Sequence, residues 1–291
     1  MDAFNPRGTG VALITPFLSD GKVDFSSLEK MVEHVIKGRV EYIVALGTTA
    51  ETPALGKDEK DEVVKAIIRF NNGRVPVVLG MGGNNTGALV DDIHKQDFNG
   101  ISAVLSVAPY YNKPGQEGMY QHFKAVAQAS PLPVILYNVP GRTGSNISAT
   151  TCLRLAGDFS NIIAVKEASG NFTQIMEIMR SRPEHFHVLS GDDAITFPMI
   201  TLGGSGVISV VANAFPGEFS EMTRLTLEHK ISAARKIHYK MLPIIENMFA
   251  EGNPAGVKAY LHAMGLIENN LRLPLVRASE ELNKKIRESV F

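Results

Sequence analysis

Eight short runs rich in Val, Ile, Leu and Ala start 20 to 34 residues apart, and helical patterns fill the intervals. Together they predict an α/β fold, a (β/α)8 TIM barrel. A further observation adds a C-terminal helical appendage: from about His229 the alternation stops and the chain reads as helix. The expected division is a barrel catalytic domain over 1–228 and a helical domain over 229–291.

The runs begin near Gly10 (GVALITPF), Tyr42 (YIVALG), Pro76 (PVVLGMG), Ile101 (ISAVLSVAPY), Pro133 (PVILYNVP), Ile162 (IIAVKEA), Phe186 (FHVLSGDD) and Gly206 (GVISVVAN). They lack the polar alternation of a sheet with one wet face, so each predicts a strand buried on both sides. Between them, Ser26 with Glu29 forms a capping-box pattern before LEKMVEHVIK. KDEKDEVVKAIIRF is acidic early and basic late, as a helix dipole favours. TGALVDDIHKQ, QEGMYQHFKAVAQ and TCLRLAG continue the series. Parallel strands need crossovers, and eight strand-then-helix units are the number that closes a barrel. The competing doubly wound sheet would show a Gly-rich phosphate turn opening a helix, whereas GTGVAL is followed by no helical pattern. The terminal helices read ISAARKIHYKMLPIIENMF, GVKAYLHAMGL and SEELNKKIRESV, broken at Glu251-Gly252-Asn253-Pro254 and Leu273-Pro274.

Composition narrows the function classes. The 291 residues are 44% hydrophobic and 20% charged, which predicts a folded chain with a large core. Twenty-nine Lys and Arg against 30 Asp and Glu argue against a nucleic-acid or anionic-membrane surface. The single cysteine, Cys152, fits a reducing compartment and reads as a structural thiol. No signal segment or membrane-spanning run is visible, so the expected location is cytoplasmic.

Barrel enzymes place their chemistry at the C-terminal ends of the strands, so the polar residues ending the runs are the candidates. Lys166 stands out. Strand alternation puts Ile162, Ala164 and Lys166 on one face of IIAVKEA. If that face points inward, the lysine lies in an apolar interior, which disfavours an ammonium, and a neutral amine attacks carbonyls. The plainer reading is a lysine paired with an interior carboxylate, Asp192 or Glu51. Tyr137 and Tyr111 end neighbouring strands as possible proton carriers, or simply as packing aromatics. Thr48 and Thr49 offer hydroxyl and backbone N–H groups for a small carboxylate, or cap a turn. Arg142, in Pro-Gly-Arg-Thr-Gly, offers a carboxylate fork, or a solvated loop charge. Asp192-Asp193 reads as a helix-capping pair rather than a metal site. The histidines show no zinc spacing beyond the weak His185-x-His187, and there is no P-loop or nucleophile elbow.

GTTAE (Gly47–Glu51), YYNKP (Tyr110–Pro114), YNVPGRTG (Tyr137–Gly144), VKEASG (Val165–Gly170) and GVISV (Gly206–Val210), in that order, carry a resemblance across essentially the whole chain. The sequence resembles the dihydrodipicolinate synthase (4-hydroxy-tetrahydrodipicolinate synthase) family of the N-acetylneuraminate lyase superfamily. The resemblance implies a lyase of lysine and diaminopimelate biosynthesis that uses no metal or cofactor beyond a covalent lysine imine. Lys166 would condense with pyruvate, and the enamine would attack L-aspartate 4-semialdehyde, giving 4-hydroxy-tetrahydrodipicolinate. It also implies Tyr137 as proton donor and acceptor, with Thr48 and Tyr111 completing a relay and Tyr111 offered across a subunit interface. Thr48 and Thr49 would hold the pyruvate carboxylate, Arg142 the semialdehyde carboxylate, and the Ile208 backbone carbonyl would lie near pyruvate. The implied assembly is a homotetramer, a dimer of dimers.

Two departures from the family pattern touch no proposed catalytic atom: Ala50 for the usual glycine, and Ala255-Gly256 before Lys258. Ala88, Lys57 and Lys60 stand where lysine-inhibited members carry a glutamate and histidines, so weak or absent lysine inhibition is expected. Two alternatives remain open. One is another pyruvate-dependent aldolase of the superfamily, such as N-acetylneuraminate lyase or a 2-keto-3-deoxy sugar acid aldolase; the other is a non-catalytic barrel that binds small acids.

Overall fold

The computed structural model describes residues 4–290. Its strands are β1 (Gly8–Ala12), β2 (Tyr42–Ala45), β3 (Val77–Gly80), β4 (Ala103–Val107), β5 (Val134–Asn138), β6 (Ile162–Glu167), β7 (His187–Ser190) and β8 (Gly206–Ser209). All pair in parallel in chain order, and β8 closes on β1 with Gly8 opposite Gly206 and Gly10 opposite Ile208. Each observed strand overlaps the apolar run that predicted it.

The barrel helices are α1 (Phe25–Lys37), α2 (Lys57–Asn71), α3 (Thr86–Lys95), α4 (Gln116–Ala129), α5 (Pro140–Thr143), α6 (Ala149–Asp158), α7 (Phe172–Ser181), α8 (Thr196–Thr201) and α9 (Pro216–Leu227). The start of α1 corrects the sequence reading. Asp24, not Ser26, is the cap: its carboxylate accepts from the Ser27 N–H at 3.0 Å and from the Ser27 hydroxyl at 2.6 Å. In α2 the Glu59 carboxylate reaches back to the Gly56 N–H at 2.9 Å, satisfying one of the donors a helix start leaves open.

Three more helices follow: α10 (Ile231–Phe249), α11 (Ala255–Ala263) and α12 (Glu280–Val290). The terminal region is not helical throughout. Residues 264–279 form an irregular strap between α11 and α12, and its polar groups reach back to the barrel.

Burial is two-layered. Between strands and helices lie two shells, one around Leu28, Ile43 and Phe219 and one around Phe123, Leu136 and Val165. Inside the cylinder Tyr42, Val78, Leu105, Ile135, Ala164 and Leu189 pack together, so the barrel is filled and its chemistry is confined to the rim.

Candidate active site

β6 delivers Lys166 to the C-terminal rim, though not by the simple alternation expected of it. The β5–β6 register slips: Val134 faces Ile162, but Ile135 faces Ala164. One extra residue on β6 reverses the side-chain order. Ile162 therefore packs outward under the helices, while Ile163 and Ala164 pack with the interior group. Beyond the bulge alternation resumes, with Val165 in the outer shell.

Lys166 is 5% exposed, sits opposite Tyr137 in the register, and holds its Nζ 4.2 Å from the centroid of the Tyr137 ring. Among the described residues no carboxylate lies within 4.0 Å of this amine. The pairings considered with Glu51 or Asp192 are not formed. Glu51 is bound to Lys258, and the Asp192 carboxylate accepts from the Ala194 N–H at 3.0 Å.

Sequence reasoning missed what holds this lysine in place. A Cβ at Gly191 would lie 3.0 Å from Lys166 Cε, 3.1 Å from its Cγ and 2.8 Å from the Ala168 Cβ, so the lysine stem runs over a glycine at the end of β7. The neighbouring Glu167 is fully buried and points the other way. Its carboxylate accepts from Asn138 Nδ2 at 3.1 Å, Gln174 Nε2 at 3.0 Å and the Ser169 N–H at 2.8 Å. Asn138 Nδ2 also donates to Asn146 at 2.8 Å, so one network fixes the ends of β5 and β6.

Thr48 and Thr49 lie in a 3₁₀ turn, Thr48–Ala50, directly after β2. The approach is tight: a Cβ at Gly80 would lie 2.3 Å from the Leu46 carbonyl oxygen, so only glycine on β3 lets the turn pass. Leu46 and Glu51, which bracket the turn, are both left-handed at φ 54°. For a non-glycine residue that costs roughly 1–2 kcal/mol, and it persists where the surroundings over-determine it. Here they do. Asn253 Nδ2 donates to Thr49 Oγ1 at 3.0 Å, and Lys258 Nζ donates to Glu51 Oε1 at 2.5 Å and to the Asn270 carbonyl at 2.9 Å. The Arg272 N–H donates to Glu51 Oε2 at 2.9 Å, and its guanidinium to the Ala54 carbonyl at 2.8 Å and to Glu59. Burial pulls the Lys258 ammonium down to about 8 against the attraction of Glu51. Thr49 is buried by this clamp and Thr48 is half-buried, its hydroxyl making no side-chain hydrogen bond among the described residues.

The other predicted residues spread over the rim. Ile208 is buried in the interior group that also contains Tyr137. Arg142 is exposed in the short helix α5, and Tyr111 is 88% exposed with a left-handed φ of 70°. Neither side chain is brought against Lys166. Their loops do touch: a Cβ at Gly144 would meet Lys113 Cε at 2.7 Å, and Ser145 Oγ donates to the Pro109 carbonyl. Only Asp192 of the acidic pair caps the following turn. Asp193 instead turns inward, accepting from Ser209 Oγ at 2.5 Å and the Val210 N–H at 3.0 Å, and burial pushes its carboxyl up to about 6. Burial also raises the Cys152 thiol, leaving it a structural group. Among the described residues no group of three or more His, Cys, Asp or Glu side chains is placed to hold a metal ion, and no helix is long and apolar enough to cross a membrane.

The rim thus carries a buried amine on β6, a tyrosine opposite it on β5 and a braced threonine turn after β2. The 4-hydroxy-tetrahydrodipicolinate synthase of Flavobacterium psychrophilum is 55% identical over 96% of this chain and 95% of its own length. That of Phocaeicola vulgatus is also 55% identical, over 97% and 95%. The chloride-inhibited dihydrodipicolinate synthase from Acinetobacter baumannii, solved as a complex with pyruvate, superimposes with a TM-score of 0.95 at 40% identity, covering 98% of each chain. The model of the dihydrodipicolinate synthetase family matches residues 5–290, nearly the whole of both barrel and terminal helices, and the chain belongs to that family.

Proposed function

We propose that this chain is a 4-hydroxy-tetrahydrodipicolinate synthase, a Schiff-base-forming lyase that condenses pyruvate with L-aspartate 4-semialdehyde. The observation that carries the reading is Lys166 itself: buried, without a carboxylate partner among the described residues, and over the Tyr137 ring. Its amine attacks C2 of pyruvate and water leaves, forming an imine. The imine draws electrons from the methyl group, so a methyl proton is lost and an enamine forms. The enamine carbon attacks the semialdehyde carbonyl. The substrate's own amine then adds to the imine carbon and displaces Lys166, closing the ring. One water is released overall, and no cofactor is consumed.

Tyr137 donates and accepts the protons of these steps, within reach because it faces Lys166 in the register. Thr48 and Thr49 hold the pyruvate carboxylate with hydroxyl and backbone donors, and the Ile208 carbonyl lies near pyruvate. Arg142 takes the semialdehyde carboxylate; its exposure suits a group that meets the second substrate at the rim. Tyr111 completes the relay with Thr48 from a neighbouring subunit, which accounts for an aromatic side chain 88% exposed in one protomer. The assembly is then a homotetramer built from two dimers, working in the cytoplasm, with the chain divided into a catalytic domain at 1–228 and a helical domain at 229–291.

The test is pyruvate with borohydride, read by intact mass and peptide mapping. A reduced pyruvyl adduct on Lys166, absent in Lys166→Met, is the expected result; no adduct on the folded wild-type protein would overturn the mechanism. Turnover of N-acetylmannosamine but not the semialdehyde, measured in parallel, would leave the imine chemistry standing and change the substrate.

A further inference from the structure

We propose that Asn253 and the buried Glu51–Lys258 pair are positioning residues for the Thr48–Thr49 turn, so that the C-terminal segment sets affinity for pyruvate. The inference rests on the reading that this turn receives the pyruvate carboxylate. It follows from bonds that the imine mechanism does not itself require. Asn253, two residues before α11, donates to Thr49 Oγ1 at 3.0 Å across 204 residues of chain. With its oxygen occupied as an acceptor, Thr49 keeps its hydroxyl proton free for an incoming carboxylate. Asn253 Oδ1 is buried and has no hydrogen-bond partner among the described residues.

Two residues further on, the Glu51 side chain is fully buried. Lys258 Nζ and the Arg272 N–H occupy its two oxygens, and Lys258 also lies 4.2 Å from the Phe17 ring centroid. Glu51 is one of the two left-handed residues bracketing the turn. A strained backbone held by charged, buried contacts from α11 and the strap has one geometry, and the threonine donors inherit it. A loop held only by water would sample several and bind a small anion less tightly. The clamp touches neither Lys166 nor Arg142, so its loss falls on pyruvate and spares the semialdehyde.

The experiment measures the pyruvate concentration giving half-maximal borohydride-trapped adduct, with steady-state KM for both substrates and thermal unfolding as a fold control. Asn253→Ala is expected to raise the half-saturating pyruvate concentration at least five-fold and to change the semialdehyde KM less than two-fold. Asn253→Asp, nearly identical in shape, captures the Thr49 proton and adds negative charge, so it is expected to raise it further. In a Thr49→Val background Asn253→Ala adds less than two-fold, the non-additivity of residues acting through one contact. The paired Glu51→Gln/Lys258→Met variant, which leaves no unpaired buried charge, is expected to shift pyruvate alone in the same direction.

A folded Asn253→Asp protein with unchanged pyruvate half-saturation would overturn the proposal, as would equal effects of Asn253→Ala in the wild-type and Thr49→Val backgrounds. Absence of any adduct in the wild-type protein would instead remove the imine reading, and the proposal with it.

Discussion

Replacing Gly191 with alanine tests whether the lysine stem is held by the floor beneath it. The added Cβ would lie 2.8 Å from the Ala168 Cβ and 3.0 Å and 3.1 Å from Lys166 Cε and Cγ. The first contact cannot stand, and because Ala168 has no side-chain torsion to turn and its backbone N–H is tied to the Asn138 carbonyl at 2.8 Å, the end of β7 must shift away from β6. The other two contacts are tighter than ordinary packing, and the Lys166 stem gives way to them, so its Nζ shifts off the Tyr137 face. Overpacking of this kind costs about 1–3 kcal/mol. At about 1.4 kcal/mol per factor of ten, a cost borne by the reactive geometry lowers the rate of imine formation about 5- to 140-fold. The assay is the time course of the borohydride-trapped adduct at saturating pyruvate, with kcat/KM from turnover. Thermal unfolding should fall by about 2–12 °C, since a fold of this size loses about 2–4 °C per kcal/mol. A Gly191→Ala enzyme trapping pyruvate within two-fold of the wild-type rate would refute the reasoning.

Three further outcomes are expected. Asp193 keeps its proton in the folded chain up to about pH 6, against an ordinary value of 3.8, so its contribution to stability falls as pH rises through that window. The loss is up to about 3 kcal/mol, read as the pH dependence of urea unfolding relative to Asp193→Asn; parallel curves from pH 4 to 7 would contradict it. Sub-millimolar L-lysine should leave turnover unchanged, because the exposed Ala88 offers no counter-charge while Lys57 and Lys60 add like charges, and strong inhibition would refute this. Lys166→Met and Tyr111→Phe protomers, unfolded together and reassembled, should regain activity that neither has alone; no recovery in a confirmed mixed oligomer would show that Tyr111 does not serve a neighbour.

The strands were legible because parallel strands covered on both faces read as unbroken apolar runs, and that property is local. Lys166 was found by the same logic, although the bulge in β6 put Ile162 on the opposite side from the lysine it was aligned with. Insertion of one residue leaves no mark in an apolar run such as IIAV. The cap of α1 was misplaced by two residues for a related reason: Asp24 and Ser26 both suit the role, and the path of the preceding chain decides. The clamp on the threonine turn was invisible from spacing alone. Glu51 and Lys258 are 207 residues apart, and nothing local distinguishes a lysine buried against a carboxylate from one in solvent. Gly191 carried no signal either, because what it accommodates is a side chain from another strand.

Those long-range contacts bear on why a buried lysine stays available for chemistry. A carboxylate within reach would bind the amine and hold it away from an incoming carbonyl. Among the described residues three fully or nearly buried carboxylates lie at or shortly after strand ends, and each is committed elsewhere. Glu51 goes to Lys258 and the Arg272 N–H, Glu167 to Asn138, Gln174 and the Ser169 N–H, and Asp193 to Ser209 and the Val210 N–H. Glu167 is the telling case. It follows Lys166 in sequence, and strand alternation sends its carboxylate to the opposite face, where it braces the loops instead of pairing with the amine. Moving that acid by one residue would put it on the lysine's own side. The spacing Lys-Glu thus does two things at once: it keeps the Glu167 carboxylate off the lysine's face, and it uses that carboxylate to hold the strand that carries the lysine.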